Sequence, residues 1–519
     1  MAFPRLSPRW QAAFGLALGA EALFGCSEPG GPSRGLPIGL VASIRFNVPS
    51  FQFKAIGDSL RVFAQAFDSQ DRPIDSARFT YSSSNASVLQ VGKAGEVRSR
   101  GNGTAAVIAT ELGGATDSIL VTVSQVADTL EATLVDTSAM LQLTLGDPIP
   151  LTCRAVDRNG YLLASPPLVT PGNRNTVTTA SCPNAVAERS GIDTLTVTSG
   201  PLSVKIPIIV VLGPSVSSPV GEFIVVDSAP AENGNWAPSM RRNAVGELEV
   251  YYASFSMNPD TTGYTRGDLH RLTSSDGLHF HYAGVALRHD PDICALDGRG
   301  IENIVILRRN DGPGWRMFYA GGTDPCYGWQ VLSAVSSDET HWTKEPGVRL
   351  SNGGTVPPAP PVYAPWPVGE GMVADQLPSG EWRMLTGGYE HLQPFEDKFQ
   401  IVEWRSPDQL NWHYIGPVLT TRDMPPEADA SIYSPTIREF APGLFRMIFT
   451  GDNRHDPGGR SRLWTAISID RSHWQFEGEL MGAAGTDLWY SALVDEHLVF
   501  VRKDAGGNLL LATATVVMN

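Results

Sequence analysis

The chain has 519 residues, 42% hydrophobic and 18% charged, which is ordinary for globular protein but too long for a single core. A net charge of −15 with only six lysines excludes a nucleic-acid polyanion as partner, because phosphate neutralisation needs a basic stripe. Acidity by itself names no ligand.

The chain opens with Arg5 and Arg9, then the apolar run AAFGLALGAEALFG, then Leu23-Phe24-Gly25-Cys26. The run is shorter than the ~20 residues that span a bilayer. The segment resembles a bacterial lipoprotein signal, which implies cleavage before Cys26 and a lipid on that residue; Ser27 after it implies the outer membrane. Residues 27–37, rich in Gly, Pro and Ser, read as a flexible tether.

Residues 38–212 are rich in Val, Thr, Ser and Ala and carry short alternating runs such as SLRVFAQAFD and DSILVTVSQ. Alternation at period two predicts half-buried strands, and short strands at regular spacing predict β-sandwiches. The stretch YSSSNASVLQV, followed by Gly103-Thr104-Ala105-Ala106-Val107-Ile108-Ala109, resembles the group 2 bacterial immunoglobulin-like domains. The resemblance covers 38–125, and 126–212 repeats the plan. Both modules are expected to be spacers or adhesive units. An even remainder of four cysteines in an exported chain suggests disulfides, and the pairs Cys153–Cys182 and Cys294–Cys326 each stay within one domain.

Composition shifts near residue 220. Eleven of the twelve tryptophans and all ten histidines lie beyond it. There SSDGLHF (274–280), SSDETHW (336–342), SPDQLNW (406–412) and SIDRSHW (468–474) repeat one motif. Each follows an aromatic strand: LEVYYASF, WRMFYAGG, WRMLTGGY or FRMIFTGD, with starts 67, 67 and 63 residues apart. A shorter copy begins at Leu498. Such a period signals a propeller or solenoid. Each unit reads as four strands, with Ser-x-Asp turning the chain between the third and fourth because Asp can bond its own backbone. Four full units and one short unit predict five blades over 220–519, with EFIVVDSA (222–229) completing the last and ring closure hiding sheet edges. The predicted class is therefore all-β: two immunoglobulin-like β-sandwiches followed by a five-bladed β-propeller.

The layout resembles the five-bladed propeller glycosidases, the superfamily of glycoside hydrolase families 43, 32 and 130. Sialidases carry a related turn on six blades, but no sixth copy is present here. The resemblance implies that each blade's first strand lines a central funnel in which three acidic side chains work. Glycoside cleavage needs one carboxyl protonated and another ionised. The first-strand candidates are Ser239, Glu302, Asp375, Ser434 and Ser491. GRGIENIVI is similar to the G-[IV]-E-D-P-R stretch of family 130, with Asn303 at the aspartate. YSPTI and WAPSM resemble stretches of family 43, with Tyr433 or Ser434 and Ser239 replacing the acids. Glu302 and Asp375 are the catalytic candidates. Trp236, Arg241, Asn303, Tyr389, Ser434 and Trp489 are the ligand-binding candidates, with Trp366 and Arg242 beside them. Asp227, Glu232, Asp297, Glu390, Glu427 and Asp429 are loop acids within reach of the same role.

Other constellations are sparse. His279 and His281 share a strand face, and His289-Asp290-Pro291-Asp292 is the one loop suited to a structural calcium ion; no other cofactor is expected. HExxH, G-x-S-x-G and a phosphate-cradling loop are absent from the sequence. These observations predict a monomeric, lipid-anchored envelope protein that binds and hydrolyses a glycan. The alternatives are a non-catalytic glycan-binding propeller and an adhesive scaffold.

Overall fold

The computed structural model describes residues 40–136, 138, 140–172, 175–216, 221–222, 224–225, 234–255, 266–322, 329–350, 366–392, 396–453, 461–482, 487–503, 507 and 509–518. Cys26 and the tether residues 27–37 lie outside them. Two compact units emerge: residues up to Val126 with Asp157–Tyr161, and Ala127–Val156 with Leu162 onward. No helix among the described residues is long and apolar enough to cross a membrane.

The first unit is built from short strands. Gly103–Glu111 and Thr116–Val123 form an antiparallel hairpin, flanked by Phe79–Ser83 and, in parallel, by Ser50–Phe53. Alternate residues Ala105, Val107 and Ala109, then Ile119, Val121 and Val123, point inward and are buried. They pack with Phe53, Val62, Leu89 and Val97. Period-two alternation is thus what seats this hairpin on its core.

The second unit begins with another layered module. Its long hairpin, Gly191–Ser199 and Leu202–Leu212, faces the pair Thr129–Leu134 and Leu151–Val156 across a core of Leu141, Ile149, Val169, Leu195 and Ile206. The Cys153–Cys182 disulfide forms within this module. Cys294 is also disulfide-bonded; Cys326 lies outside the described residues. The Leu202–Leu212 strand then delivers the chain to the aromatic region. Val211 is buried against Leu444 and Ile467, and the Arg446 guanidinium donates to the Leu212 carbonyl at 2.7 Å.

Five antiparallel meanders follow. Their inner strands are Gly234–Arg242, Gly300–Arg308, Trp366–Gln376, Ser431–Ala441 and Leu488–Val494. Each inner strand touches the next, and the fifth returns to the first, so the meanders close into a ring of blades 1 to 5. The second strands carry the aromatic repeats and are buried almost throughout.

The Ser-x-Asp motif makes the same turn four times. In blade 1 the Ser274 hydroxyl donates to Asp276 (3.1 Å), while Asp276 Oδ1 accepts from the backbone of Leu278 and His279. Asp338, Asp408 and Asp470 repeat the pattern. The residue after each Asp takes a left-handed φ: Gly277 (75°), Glu339 (62°), Gln409 (61°) and Arg471 (63°). In three blades that residue reaches into the neighbouring blade. Glu339 pairs with Arg241, Gln409 Oε1 accepts from Arg316 at 2.9 Å, and Arg471 pairs with Asp375. In the fourth it must be glycine, because a Cβ on Gly277 would lie 2.3 Å from the His497 ring of blade 5. Closing aromatics pack across the same seams, as Trp412 does against Phe318 (5.5 Å).

The last blade differs from the sequence expectation. Residues 488–517 supply three strands. The pairing along the outer edge of Leu509–Val517 comes from Ser215–Val216 and Gly221–Glu222, which share only Glu222 with the expected 222–229 segment. Ile224–Val225 instead pairs in parallel with the outer strand of blade 1. The chain thus closes the ring as it leaves the preceding module, because an unpaired edge at 509–517 would template association. A chain starting at residue 223 is expected to melt several degrees below one starting at 213 and to form higher oligomers. Thermal denaturation and size-exclusion chromatography of the two chains test this.

Candidate functional site

All five inner strands carry a β-bulge near their N-terminal ends. The register against the second strand slips after Trp236, Glu302, Glu370, Tyr433 and Trp489. The next residue has a left-handed φ each time: Ala237 (48°), Asn303 (48°), Gly371 (70°), Ser434 (54°) and Tyr490 (45°). A bulge re-aims the flanking side chains. Here five equivalent bulges set two carboxylates and three aromatic rings at one level of the ring.

Glu302 is only 5% exposed. Burial pushes its carboxyl well above the usual range, repulsion from Glu370 adds to this, and Arg299 opposes both. Glu370 is half-buried and accepts a 2.5 Å hydrogen bond from the Tyr490 hydroxyl. Burial raises it to about 7, with Asp452 adding repulsion and the Tyr490 bond working the other way. Asp452 ends the second strand of blade 4, at the same end of the ring. It accepts from Ser461 (2.6 Å) and Tyr433 (3.2 Å). Burial raises it to about 6 against those two bonds, and Asp487 contributes repulsion. The Tyr433 and Tyr490 phenols are pushed well above their ordinary value by burial, so both remain proton donors.

Aromatic rings wall the acids. Trp236 lies 5.6 Å from Trp489 and 4.9 Å from Tyr490, and Tyr433 meets Tyr490 edge-on at 5.5 Å. Beyond the bulges an axial cavity of about 210 Å³ continues between the inner strands, lined by Ser239, Asn303, Gly371, Ser434 and Ser491.

The structure therefore gathers Glu302, Trp236, Trp489, Asn303 and Ser434 around the axis, and moves two other candidates away. Asp375 lies five residues beyond Glu370, about 16 Å along the strand. Arg383 holds it with two bonds of 2.9 and 3.0 Å and Arg471 with a third, in the seam between blades 3 and 4. This ion-pair position is a correction to its expected place beside Glu302. Arg241 is likewise drawn into a seam, between Glu249 and Glu339 and over the Trp315 ring. Arg242 pairs with Asp495. Ser239 accepts from the backbone of Ile304.

The side chains of Tyr389, Trp366 and Glu390, together with Asp227 and Glu232, lie outside the described residues. Asp297 is held by Tyr319 (3.1 Å) and Lys344 (2.6 Å), and Glu427 is exposed. In the 289–292 loop, Asp290 and Asp292 accept from the backbone of Asp292 and Cys294. Among the described residues no group of three His, Cys, Asp or Glu side chains is placed to hold a metal ion. His279 bonds to Asp276 in its turn.

Sequence reasoning missed Glu370 and Asp452. A signal for Glu370 exists: Trp236, Glu302, Glu370 and Tyr433 lie 12, 13, 12 and 12 residues before the aromatic strands that begin at 248, 315, 382 and 445. The glycines at 369 and 371 and two slips of register in that strand obscure it. Asp452 closes the quoted FRMIFTGD, where it reads as a strand end.

No family model matches the chain, and no curated protein matches it. Solved structures do. The BT0996 complex with RGII shares 15% identity over 58% of this chain and 92% of that one, with a TM-score of 0.45. Sucrose-6-phosphate hydrolase from Lactobacillus gasseri shares 15% over 57% and 60% (TM-score 0.43). Zg3597, a family 117 glycoside hydrolase from Zobellia galactanivorans, shares 12% over 59% and 91% (TM-score 0.42). The neighbours are glycoside hydrolase-like propeller folds.

The acids have a thermodynamic consequence. The ordinary values are 4.5 for Glu370 and 3.8 for Asp452, against about 7 and about 6 in the fold. The folded state binds these protons more tightly, so the stability these two groups contribute is fully present below about pH 4 and is lost as pH rises toward 7. Denaturant melts at several pH values should show this slope, and Glu370→Gln should flatten it.

Proposed function

We propose that this chain is a lipid-anchored envelope protein in which two immunoglobulin-like sandwiches carry a five-bladed propeller acting as a glycoside hydrolase. The observation that carries the reading is the set of carboxyls from three blades, Glu302, Glu370 and Asp452, with unequal proton affinities beside an aromatic wall. Hydrolysis of a glycosidic bond needs a proton donor and an ionised partner in one site. Burial and the Glu370 charge favour the protonated form of Glu302, which suits the general acid, while Asp452, raised to about 6, suits the base or nucleophile. Glu370 between them modulates both. Trp236 and Trp489 offer apolar faces for a sugar ring.

A second reading, a glycan-binding module without turnover, draws support from the depth of Glu302, which is 5% exposed. The Cys26 lipid and the envelope location rest on the N-terminal resemblance and are part of the proposal.

The test is a chromogenic-glycoside and glycan-array screen of residues 213–519. Turnover per folded molecule should fall at least ~100-fold in Glu302→Gln and Asp452→Asn and persist in Asp375→Asn, whose carboxyl serves the seam and whose loss lowers stability instead. Binding without turnover in the wild-type chain selects the second reading. No response to any sugar removes both.

A further inference from the structure

Tyr490 is a bulge residue whose side chain reaches several other blades. It leaves the blade 5 strand at a left-handed φ of 45°, and its backbone N–H donates to Thr450 of blade 4 at 3.0 Å. Its ring lies 4.9 Å from Trp236 of blade 1 and 5.5 Å from Tyr433 of blade 4. Its hydroxyl reaches Glu370 of blade 3 at 2.5 Å, and it stands in the field of Glu302 of blade 2. A side chain that touches blades 1, 3 and 4 lies at the inner end of its blade, facing the axis. Tyr490 is also 3% exposed. It is therefore buried among the acids and rings of this site.

We propose that Tyr490 is a positioning residue of this pocket, fixing the orientation and proton affinity of the Glu370 carboxyl through its phenol. The inference rests on the acid pocket being the reactive site. A tyrosine at positive φ is strained and persists there because the surrounding structure over-determines it. Ala237, Asn303, Gly371 and Ser434 hold the equivalent left-handed place in the other blades, so the conformation belongs to the bulge and the side chain is what differs. What tyrosine adds is a donor of fixed reach, buried so that it stays protonated. The titratable groups facing Glu370 are Glu302 from blade 2, Tyr433 and Asp452 from blade 4, and Tyr490 from blade 5; Arg299 faces Glu302. Tyr490 is the donor among them for which a hydrogen bond to Glu370 is seen.

The experiment is carbon-13 NMR titration of labelled glutamate carboxyls in the full chain, with the Glu370 signal assigned by its loss in Glu370→Gln. The readout needs no sugar, so it decides the inference even if the glycoside screen finds no substrate. Tyr490→Phe keeps the ring and removes the donor, and should raise the Glu370 midpoint by about one unit. Should that variant fold poorly, 3,5-difluorotyrosine placed at 490 keeps ring and hydroxyl while strengthening the donor, and should lower the midpoint. Opposite shifts in the two variants, or the expected shift in the one that folds, support the role. An unchanged Glu370 midpoint in a folded variant overturns it and leaves Tyr490 a packing residue.

Discussion

The ring depends on how its seams accommodate buried charge. Arg316 and Arg446 are fully buried and Arg383 is 1% exposed, all at the second position of an aromatic strand. An unpaired charge at that depth would cost several kcal/mol, so each arginine is tied to carboxylates: Arg316 to Glu345 and Asp311, Arg383 to Asp375, Arg446 to Glu477. In blade 1 the polarity is inverted. Glu249 occupies the equivalent place, with Arg241 and Arg271 around it. The Ser-x-Asp turn serves this same requirement. It sets its fourth residue at a left-handed φ, and Glu339, Gln409 and Arg471 use that direction to complete the charge pattern of the adjoining blade. The motif that repeats most visibly in the sequence is thus a clamp between blades.

Because the clamps fix each blade against the next, the five bulges fall at one level near the opposite end of the inner strands. Equivalent positions there are free to differ in chemistry while the backbone stays the same. Two have become glutamates and three aromatic rings. Desolvation does the rest, since carboxyls from different blades confined in one buried space cannot all ionise at neutral pH. Separation of proton affinities follows from burial and mutual repulsion, with phenol and hydroxyl donors adjusting each one. The chemistry proposed for the pocket is a consequence of closing the ring.

The second module shares in this arrangement. Arg446, a clamp residue of blade 4, also holds the Leu212 carbonyl, and the strand that follows caps the last blade. This module and the propeller accordingly behave as one compact unit.

Much of the repeat was legible in the sequence because aromatic strand and turn are rigidly spaced, and period-two alternation marked hairpins such as 103–123. The Cys153–Cys182 pair followed from counting. Glu302 was legible through its local resemblance to a known stretch. Glu370 and Asp375 were harder to tell apart: both are acids on one strand, and only the register against Trp382–Leu392 shows that one faces the pocket and the other a seam. Asp452 belongs to a second strand, which nothing local marks as pocket-facing. The closing strand was misplaced because pairing with Leu509–Val517 is nearly 300 residues distant in sequence and leaves no periodic trace.

The central claim is that carboxyls of different blades share one desolvated pocket. The most direct measurement is the carbon-13 titration of Glu302 in the wild-type chain and in Glu370→Gln. On that claim, the Glu302 midpoint should lie well above its ordinary value and fall when the Glu370 charge is removed. A Glu302 midpoint near its ordinary 4.5, indifferent to Glu370→Gln, would contradict it.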